Sequence, residues 1–469
     1  MSEFKYLVFF IVLIIGVPAG YIMARKYKWI EKTIFFLFVF FTCEMVDINF
    51  VSMESYRGTS KGFEFGMVDI SMYIILLLSL NRSQQYKIVN FPPGSSLYFL
   101  YFLCSLLSIV HADVYMYSAF EVSKMLRMYI YFWVAYNYIQ EEAQFETLIQ
   151  SLGIIICYIF FSVLKQKYLL GMFQSMGPFP HQNSLTMYIS VLGSIALSRV
   201  LNKKEINAPL WFLLFSMCAF CVLSTLSRAG LALFSLNCAI VFFISMLLKD
   251  KEQKEVRTRK WIIVLIMPIV ASAALYKAAD SIIERFTTAP EESKITRILL
   301  AQSAVKMANE NIFGVGLNNF GHKINDPYPY GAHIPVEISR NGEKRGLVET
   351  AYLMIAAEAG WPTLTIFICM LIYFYIKNII NLIRMKNSPL RYICVAICAA
   401  LTQIYLQTTL EWVIKQTNNF YQLMLIFAII SVMSKIRERR KITPNKQEPT
   451  ALDDNIIQHN RSAPCVTNI

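Results

Sequence analysis

Four polar features, each lodged between long apolar runs, hold the residue types that could do chemistry. Gly177-Pro178-Phe179-Pro180-His181-Gln182-Asn183 is a stiff polar loop leading into a helix. Thr225-Leu226-Ser227-Arg228-Ala229-Gly230 sets an arginine at a helix junction. Arg297 stands at the start of a helix that ends in Asn311-Ile312-Phe313-Gly314-Val315-Gly316-Leu317-Asn318-Asn319-Phe320-Gly321. Glu349-Thr350-Ala351-Tyr352-Leu353 continues to Glu358-Ala359-Gly360-Trp361 as the chain re-enters an apolar run. Arginine offers a permanent cation with bidentate geometry for oxyanions, and a desolvated glutamate can accept a proton near neutral pH. Plainer readings stand beside these: Arg228 as an interfacial charge, Arg297 as a solvated helix residue, the glycines as a turn, Glu349 as a partner of Lys344 or Arg345. His181, His322 and His333 lack a metal-ligand spacing and the carboxylates do not cluster, so neither metal nor cofactor is expected. Gly314-x-Gly316 follows a helix rather than a strand, which is the wrong context for a dinucleotide loop.

The elements that position these residues are membrane helices. Of 469 residues, 56% are hydrophobic and only 16% charged, against roughly 25% charged in soluble domains. Several runs are almost free of charge and approach the ~20 residues that cross ~30 Å of hydrocarbon. Their apolar residues run all round the helix, as lipid contact requires. Spans are expected near 6–23, 33–50, 67–81, 95–111, 118–138, 147–165, 183–199, 209–226, 229–248, 261–277, 351–377, 391–408 and 418–435. The first reads as a retained helix rather than a signal peptide, because Glu3 offsets Lys5 and no small-x-small cleavage site follows. The fold class is therefore an all-α polytopic membrane protein of about 12–13 transmembrane helices, with one long external loop containing short helices. Four regions follow: N-terminal helices at 1–277, the loop at 278–350, C-terminal helices at 351–435, and a disordered polar tail at 436–469.

The net charge of +13 is not a nucleic-acid signal. The basic residues gather at 25–32, 199–204, 249–260, 377–391 and 435–441, which fall on one side if the helices alternate. That side is cytoplasmic by the positive-inside rule, and it takes the C-terminus. The opposite side receives 51–66, 165–183, the turn at Ser227-Arg228 and the stretch 278–350. Within that stretch 294–309 is helical, with Ile295, Ile298, Leu299, Ala304 and Met307 on roughly one face. Cysteines lie mostly within spans, and Cys218-x-x-Cys221 reads as core packing.

In their order, spacing and side of the membrane, the four features resemble the O-antigen ligase and Wzy-type O-antigen polymerase family of lipid-linked glycan transferases, over roughly residues 170–370. That family shows a G-x-F-x-x-x-N loop, matched by Gly177, Phe179 and Asn183, and a Ser-Arg-x-Gly junction, matched at 227–230. It also shows an arginine helix running into a Gly-x-Gly turn, matched by Arg297 and Phe313–Phe320, and a late helix start of the form H-N-x-Y-L-x-x-x-x-E-x-G. Here Glu349-Thr350 stands where the family has His-Asn, so the role of that histidine cannot be carried over.

The resemblance implies a bacterial inner-membrane enzyme that takes a glycan from an undecaprenyl-diphosphate donor on the periplasmic side and passes it to a glycan or lipid acceptor. Arg228 and Arg297 are then the candidates for the leaving diphosphate, with Arg345 a weaker third. Glu349 is the candidate base towards the acceptor hydroxyl. His181, Asn183 and Tyr352 are candidates for substrate contact, and Tyr328, Tyr330 and Trp361 for a sugar-binding rim. Catalysis would need no metal. A transporter or flippase for lipid-linked oligosaccharide is the alternative; against it, the spans hold few mid-membrane charges, Glu44, Asp47 and Asp69 being the exceptions noted near span ends. A sensor or scaffold without catalysis is a third reading.

Overall fold

The computed structural model describes residues 2–202, 205, 207–248, 291–335, 346–386 and 388–442. The span expected at 261–277, the basic segment 249–260, Lys344, Arg345 and the tail from 443 lie outside the described residues. The helices and strands, in chain order, are α1 Tyr6–Lys26, α2 Lys28–Phe40, β1 Asp47–Ser52, β2 Gly62–Gly66, α3 Met67–Asn81, α4 Ser95–Leu107, α5 Tyr115–Tyr138 and α6 Glu142–Leu164. They continue as α7 Gln182–Leu201, α8 Ala208–Thr225, α9 Arg228–Leu247, α10 Glu291–Glu310, α11 Ala351–Arg384, α12 Leu390–Leu410 and α13 Thr417–Ile442. Among the described residues, eight helices are long and apolar enough to cross a membrane, and Met67–Asn81 and Ser95–His111 are shorter apolar helices. The protein is an all-α polytopic membrane protein with, among the described residues, a single small hairpin.

That hairpin corrects the span expected at 33–50. Helix α2 stops at Phe40, too short for ~30 Å at ~1.5 Å per residue. β1 and β2 then pair antiparallel, Asp47 opposite Gly66 and Asn49 opposite Glu64. Both strands alternate polar and apolar residues (Asp47-Ile48-Asn49-Phe50; Phe63-Glu64-Phe65), the period of two that a half-buried strand needs.

Helices α7 and α13 form the centre of the bundle, wholly and almost wholly buried along their spans. α7 packs on α8, α9 and α12, while α13 packs on α5 and α11. Small residues on α7 (Ser190, Gly193, Ser194, Ala196, Ser198) let its neighbours approach closely. Polar bridges pin the arrangement: Asn237 donates to Gln403 at 2.6 Å, and Gln422 to the Tyr188 carbonyl at 2.9 Å. Cys218 and Cys221 are buried and unlinked, as core packing requires.

Helix α11 is broken two turns from its start. Gly360 takes φ 87°, and Pro362 has no N–H for the carbonyl of Glu358 four residues earlier. The glycine turn of the preceding loop supplies the missing donors: Val315 N–H reaches the Ala357 carbonyl at 2.9 Å, and Gly316 N–H the Glu358 carbonyl at 3.1 Å. Such close approach leaves no room for a side chain at Gly314 (φ 78°), where a Cβ would sit 2.3 Å from the Glu358 carbonyl carbon. Asn318, also at positive φ, donates to the Ser60 carbonyl at 2.9 Å and accepts from Thr59 N–H at 2.9 Å. The turn thereby fastens α11 to the hairpin loop. α10 buries Leu300, Ala304 and Met307, whereas Ile295 and Ile298, expected on the same face, point outward.

Gly314→Ala should combine about 1–3 kcal/mol of backbone strain with a backbone collision, whereas Gly171→Ala, at φ 61° with open space around it, meets strain alone. Thermal unfolding of the detergent-solubilised chain should show the larger drop in midpoint for Gly314→Ala. Equal drops would deny the docking.

Candidate functional site

The 177–183 loop is held by Gln166, whose side chain accepts from the Met176 and Gly177 amides at 2.9 and 2.8 Å and donates to the Gly177 carbonyl at 2.7 Å. His181 caps α7, its Nδ1 accepting from Asn183 N–H at 3.2 Å. Capping spends the histidine on the backbone and turns Asn183 across to the end of α12. There the Asn183 amide donates to Glu411 Oε1 at 2.7 Å, and Gln407 donates to the Asn183 carbonyl at 2.9 Å.

Glu411 is the residue that closes the site. Arg297 Nη2 lies 3.0 Å from Glu349 Oε2 and 3.3 Å from Glu411 Oε1. Glu349 is held in place by its neighbour Thr350, whose hydroxyl donates to the Thr408 carbonyl at 3.3 Å. The side chains differ in exposure, 46% for Arg297, 36% for Glu349 and 9% for Glu411. Burial pushes the Glu411 carboxyl up to about 8, the Glu349 charge adds to the rise, and Arg297 opposes it. The site thus offers an accessible cation beside a carboxyl that changes protonation near working pH.

Arg228 is the first residue of α9 and is exposed. Its turn is capped by Ser227 Oγ, which accepts from Gly230 N–H at 3.2 Å. Gly230 sits tight on Thr186, one turn beyond Asn183, with no space there for a Cβ. Arg228 therefore reaches the same end of the bundle as Asn183. The N-termini of α7, α9 and α11 all face that end, where their partial positive charge favours an anion. Tyr352 does not join the cluster: its hydroxyl donates to the Tyr405 carbonyl at 3.2 Å between α11 and α12. Arg345 lies outside the described residues, as do both residues weighed as alternative partners of Glu349. Tyr328 donates to Asp113, and Tyr330 accepts from Asn311 at 3.0 Å. Trp361 donates to Asn309 at 3.0 Å. Among the described residues, no group of three His, Cys, Asp or Glu is placed to hold a metal ion.

A second polar group lies buried inside the bundle, towards the same end. Lys124 meets Glu121 at 2.6 Å, Lys415 meets Glu358 at 2.7 Å, and Lys415 stands 3.6 Å from Glu121. All four are almost fully buried. Ser60 and Thr59 of the hairpin loop also donate to Glu121, at 2.6 and 2.9 Å. Glu358 and Glu121 together balance the Lys415 charge. This group anchors the turn 413–415 two residues after Glu411, and so fixes where Glu411 points. Arg127 makes a further buried pair with Asp69, at 2.8 Å.

Sequence reading missed Glu411, Gln407 and Lys415. A usable signal existed: between Arg391 and Arg437 the only charges before Lys435 are Glu411 and Lys415, at a helix end on the side opposite the basic loops.

A protein-family model described as O-antigen ligase matches residues 211–368. That stretch contains Arg228, Arg297, Glu349, the glycine turn and Glu358, and leaves out Asn183, Glu411 and Lys415. No curated protein matches the chain.

Lys415→Met leaves Glu358 and Glu121 short of a counter-ion and should cost about 3–5 kcal/mol. Adding Glu358→Gln should recover part of that loss in thermal unfolding of the purified chain. Additive losses would show that the two side chains do not act as a pair.

Proposed function

We propose that this chain, a multi-pass bacterial membrane enzyme of polysaccharide biosynthesis whose residues 211–368 match a family model described as O-antigen ligase, transfers a glycan from a polyprenyl-diphosphate donor. The observation that carries this reading is the cluster of Arg297, Glu349, Glu411 and Asn183 where helix N-termini converge. The basic loop segments support a periplasmic position for this end and a cytoplasmic one for the C-terminus.

In the transfer, the acceptor hydroxyl oxygen attacks the anomeric carbon and the bond from that carbon to the diphosphate oxygen breaks. The electron pair leaves with the lipid diphosphate, whose growing charge Arg297 and Arg228 meet. The acceptor proton passes to the Glu349–Glu411 pair, with Glu411 as the stronger base because it is the more buried of the two. Asn183 orients Glu411 by its hydrogen bond. The chemistry assigned to these side chains requires no metal. The same site serves polymerisation, when the acceptor is a sugar of another repeat unit, and ligation, when it is a different carrier.

The buried charges of α5 and α11 give the flippase reading its one supporting observation. They are, however, matched into pairs and placed towards one end of the bundle, whereas a passage needs groups free to exchange partners along its length.

Assayed in a strain lacking the chromosomal copy, Arg228→Ala and Arg297→Ala should each lower glycan production on the order of a hundredfold. Unextended lipid-linked donor should accumulate at normal levels of inserted protein. Normal glycan in both variants would remove the site assignment.

The pH profile of the purified enzyme tests the base. Only deprotonated Glu411 accepts a proton, so the rate should climb with pH and level off above about 8. Glu349→Gln removes a like charge and should move that midpoint down. Glu411→Gln should abolish the climb; an unchanged profile would assign the proton elsewhere.

A further inference from the structure

The opposite end of the bundle holds a cavity of about 300 Å³ between α11 and α13, lined by Tyr373, Ile376, Lys377, Arg384, Arg437 and Glu438 among others. Three cations face one carboxylate there, and the site described above uses none of them. Arg437 spends one nitrogen, Nη1, on Asn381 at 2.9 Å, and its Nη2 reaches Glu438 only at 3.4 Å. Its Nε is buried with no hydrogen-bond partner among the described residues. The Nε–Nη2 edge is the fork with which a guanidinium grips two oxygens of one oxyanion, and here that fork is poorly satisfied. Lys377 also lines the cavity, its ammonium 5.6 Å from the centre of the Tyr373 ring.

The wall of the cavity decides which oxyanion. α11 is a spanning helix with much of its surface unburied, and Ile372, Ile376 and Ile383 are about half exposed along it. An apolar strip of bilayer-crossing helix thus runs directly into a basic recess at the helix end. A soluble anion has no use for that strip, whereas an acyl chain lies along it while its phosphate enters the recess. We infer that this cavity is a binding site for the phosphate headgroup of an anionic membrane phospholipid, clamped between α11 and α13 by Lys377, Arg384 and Arg437. Because α13 packs on α11 and α5, the clamp would brace the centre of the bundle from the face opposite the candidate site. The inference does not depend on what that site does.

The test is native mass spectrometry and thermal unfolding of the full chain in detergent, titrated with phosphatidylglycerol, phosphatidylcholine or inorganic phosphate. Phosphatidylglycerol should give a retained adduct and a raised unfolding midpoint; phosphatidylcholine and millimolar phosphate should give neither. Lys377→Gln with Arg384→Gln, both at partly open positions, should weaken phosphatidylglycerol retention at least tenfold. Arg25→Gln with Lys28→Gln, which removes two cations from the first helices, should leave it unchanged. Equal retention of the two lipids overturns the inference, and so does equal weakening by the two double variants. Displacement by inorganic phosphate would reassign the recess to a soluble anion. Wild-type retention in the Lys377/Arg384 variant would show that the lipid sits elsewhere.

Discussion

An ammonium ion within a helical bundle bathed in lipid must meet a carboxylate, because water is not there to solvate it. Lys415 does so twice over, with Glu358 of α11 and Glu121 of α5, and Lys124 completes the balance. Two positive and two negative side chains, contributed by two helices and one short turn, leave no net charge to desolvate. The consequence is geometric more than energetic. Replacing the whole group by apolar side chains need not weaken the bundle, whereas removing one member strands the others. What the group secures is register: the turn 413–415 is tied to α5 and α11, and the hairpin loop is drawn in through Ser60 and Thr59. Glu411, two residues before that turn, inherits its position from the pairing.

The glycine turn applies the same constraint to the backbone. Breaking α11 at Gly360 frees carbonyls that hydrocarbon would penalise, and the amides of Val315 and Gly316 occupy them. A loop segment thereby becomes part of the helix it follows. Glu349, at the start of α11, and Arg297, on the helix that leads into the turn, are brought within 3.0 Å because both are fixed to this junction. The motifs with glycine build the frame, and the motifs with arginine, asparagine and glutamate occupy it.

Hydropathy made the long helices legible, and residue type at their ends singled out Asn183, Arg297 and Glu349, which the fold brings together through Glu411. What escaped did so for physical reasons. The 47–66 hairpin is apolar enough to extend a hydropathy window past Phe40, although its period of two was visible in Asp47-Ile48-Asn49-Phe50. Glu121, Lys124 and Arg127 follow one another at intervals of three, one face of a helix, yet their hydrogen-bond partners on other elements lie from 58 to 291 residues away. Ending a span at 408 left Glu411 in a loop with no stated role. The docking of 315–316 onto 357–358 couples segments forty residues apart, beyond the reach of any local pattern.

The substitution of Glu349-Thr350 for a His-Asn pair poses a chemical problem that Glu411 helps to solve on the proposed reading. An imidazole is a usable base at neutral pH without help, but a partly exposed carboxylate is too weak a base there. A second carboxyl set deeper, beside the first and at the negative end of α12, gains basicity from both burial and repulsion. Arg297 touches both carboxyls in the absence of a donor and keeps part of that basicity in check. On that reading the donor diphosphate would compete for the same guanidinium. Were Arg297 to turn towards the phosphate oxygens, Glu411 would lose that contact and hold its proton to higher pH. One arginine would then couple occupation of the donor site to the protonation state of Glu411, a coupling that a histidine acting alone does not supply.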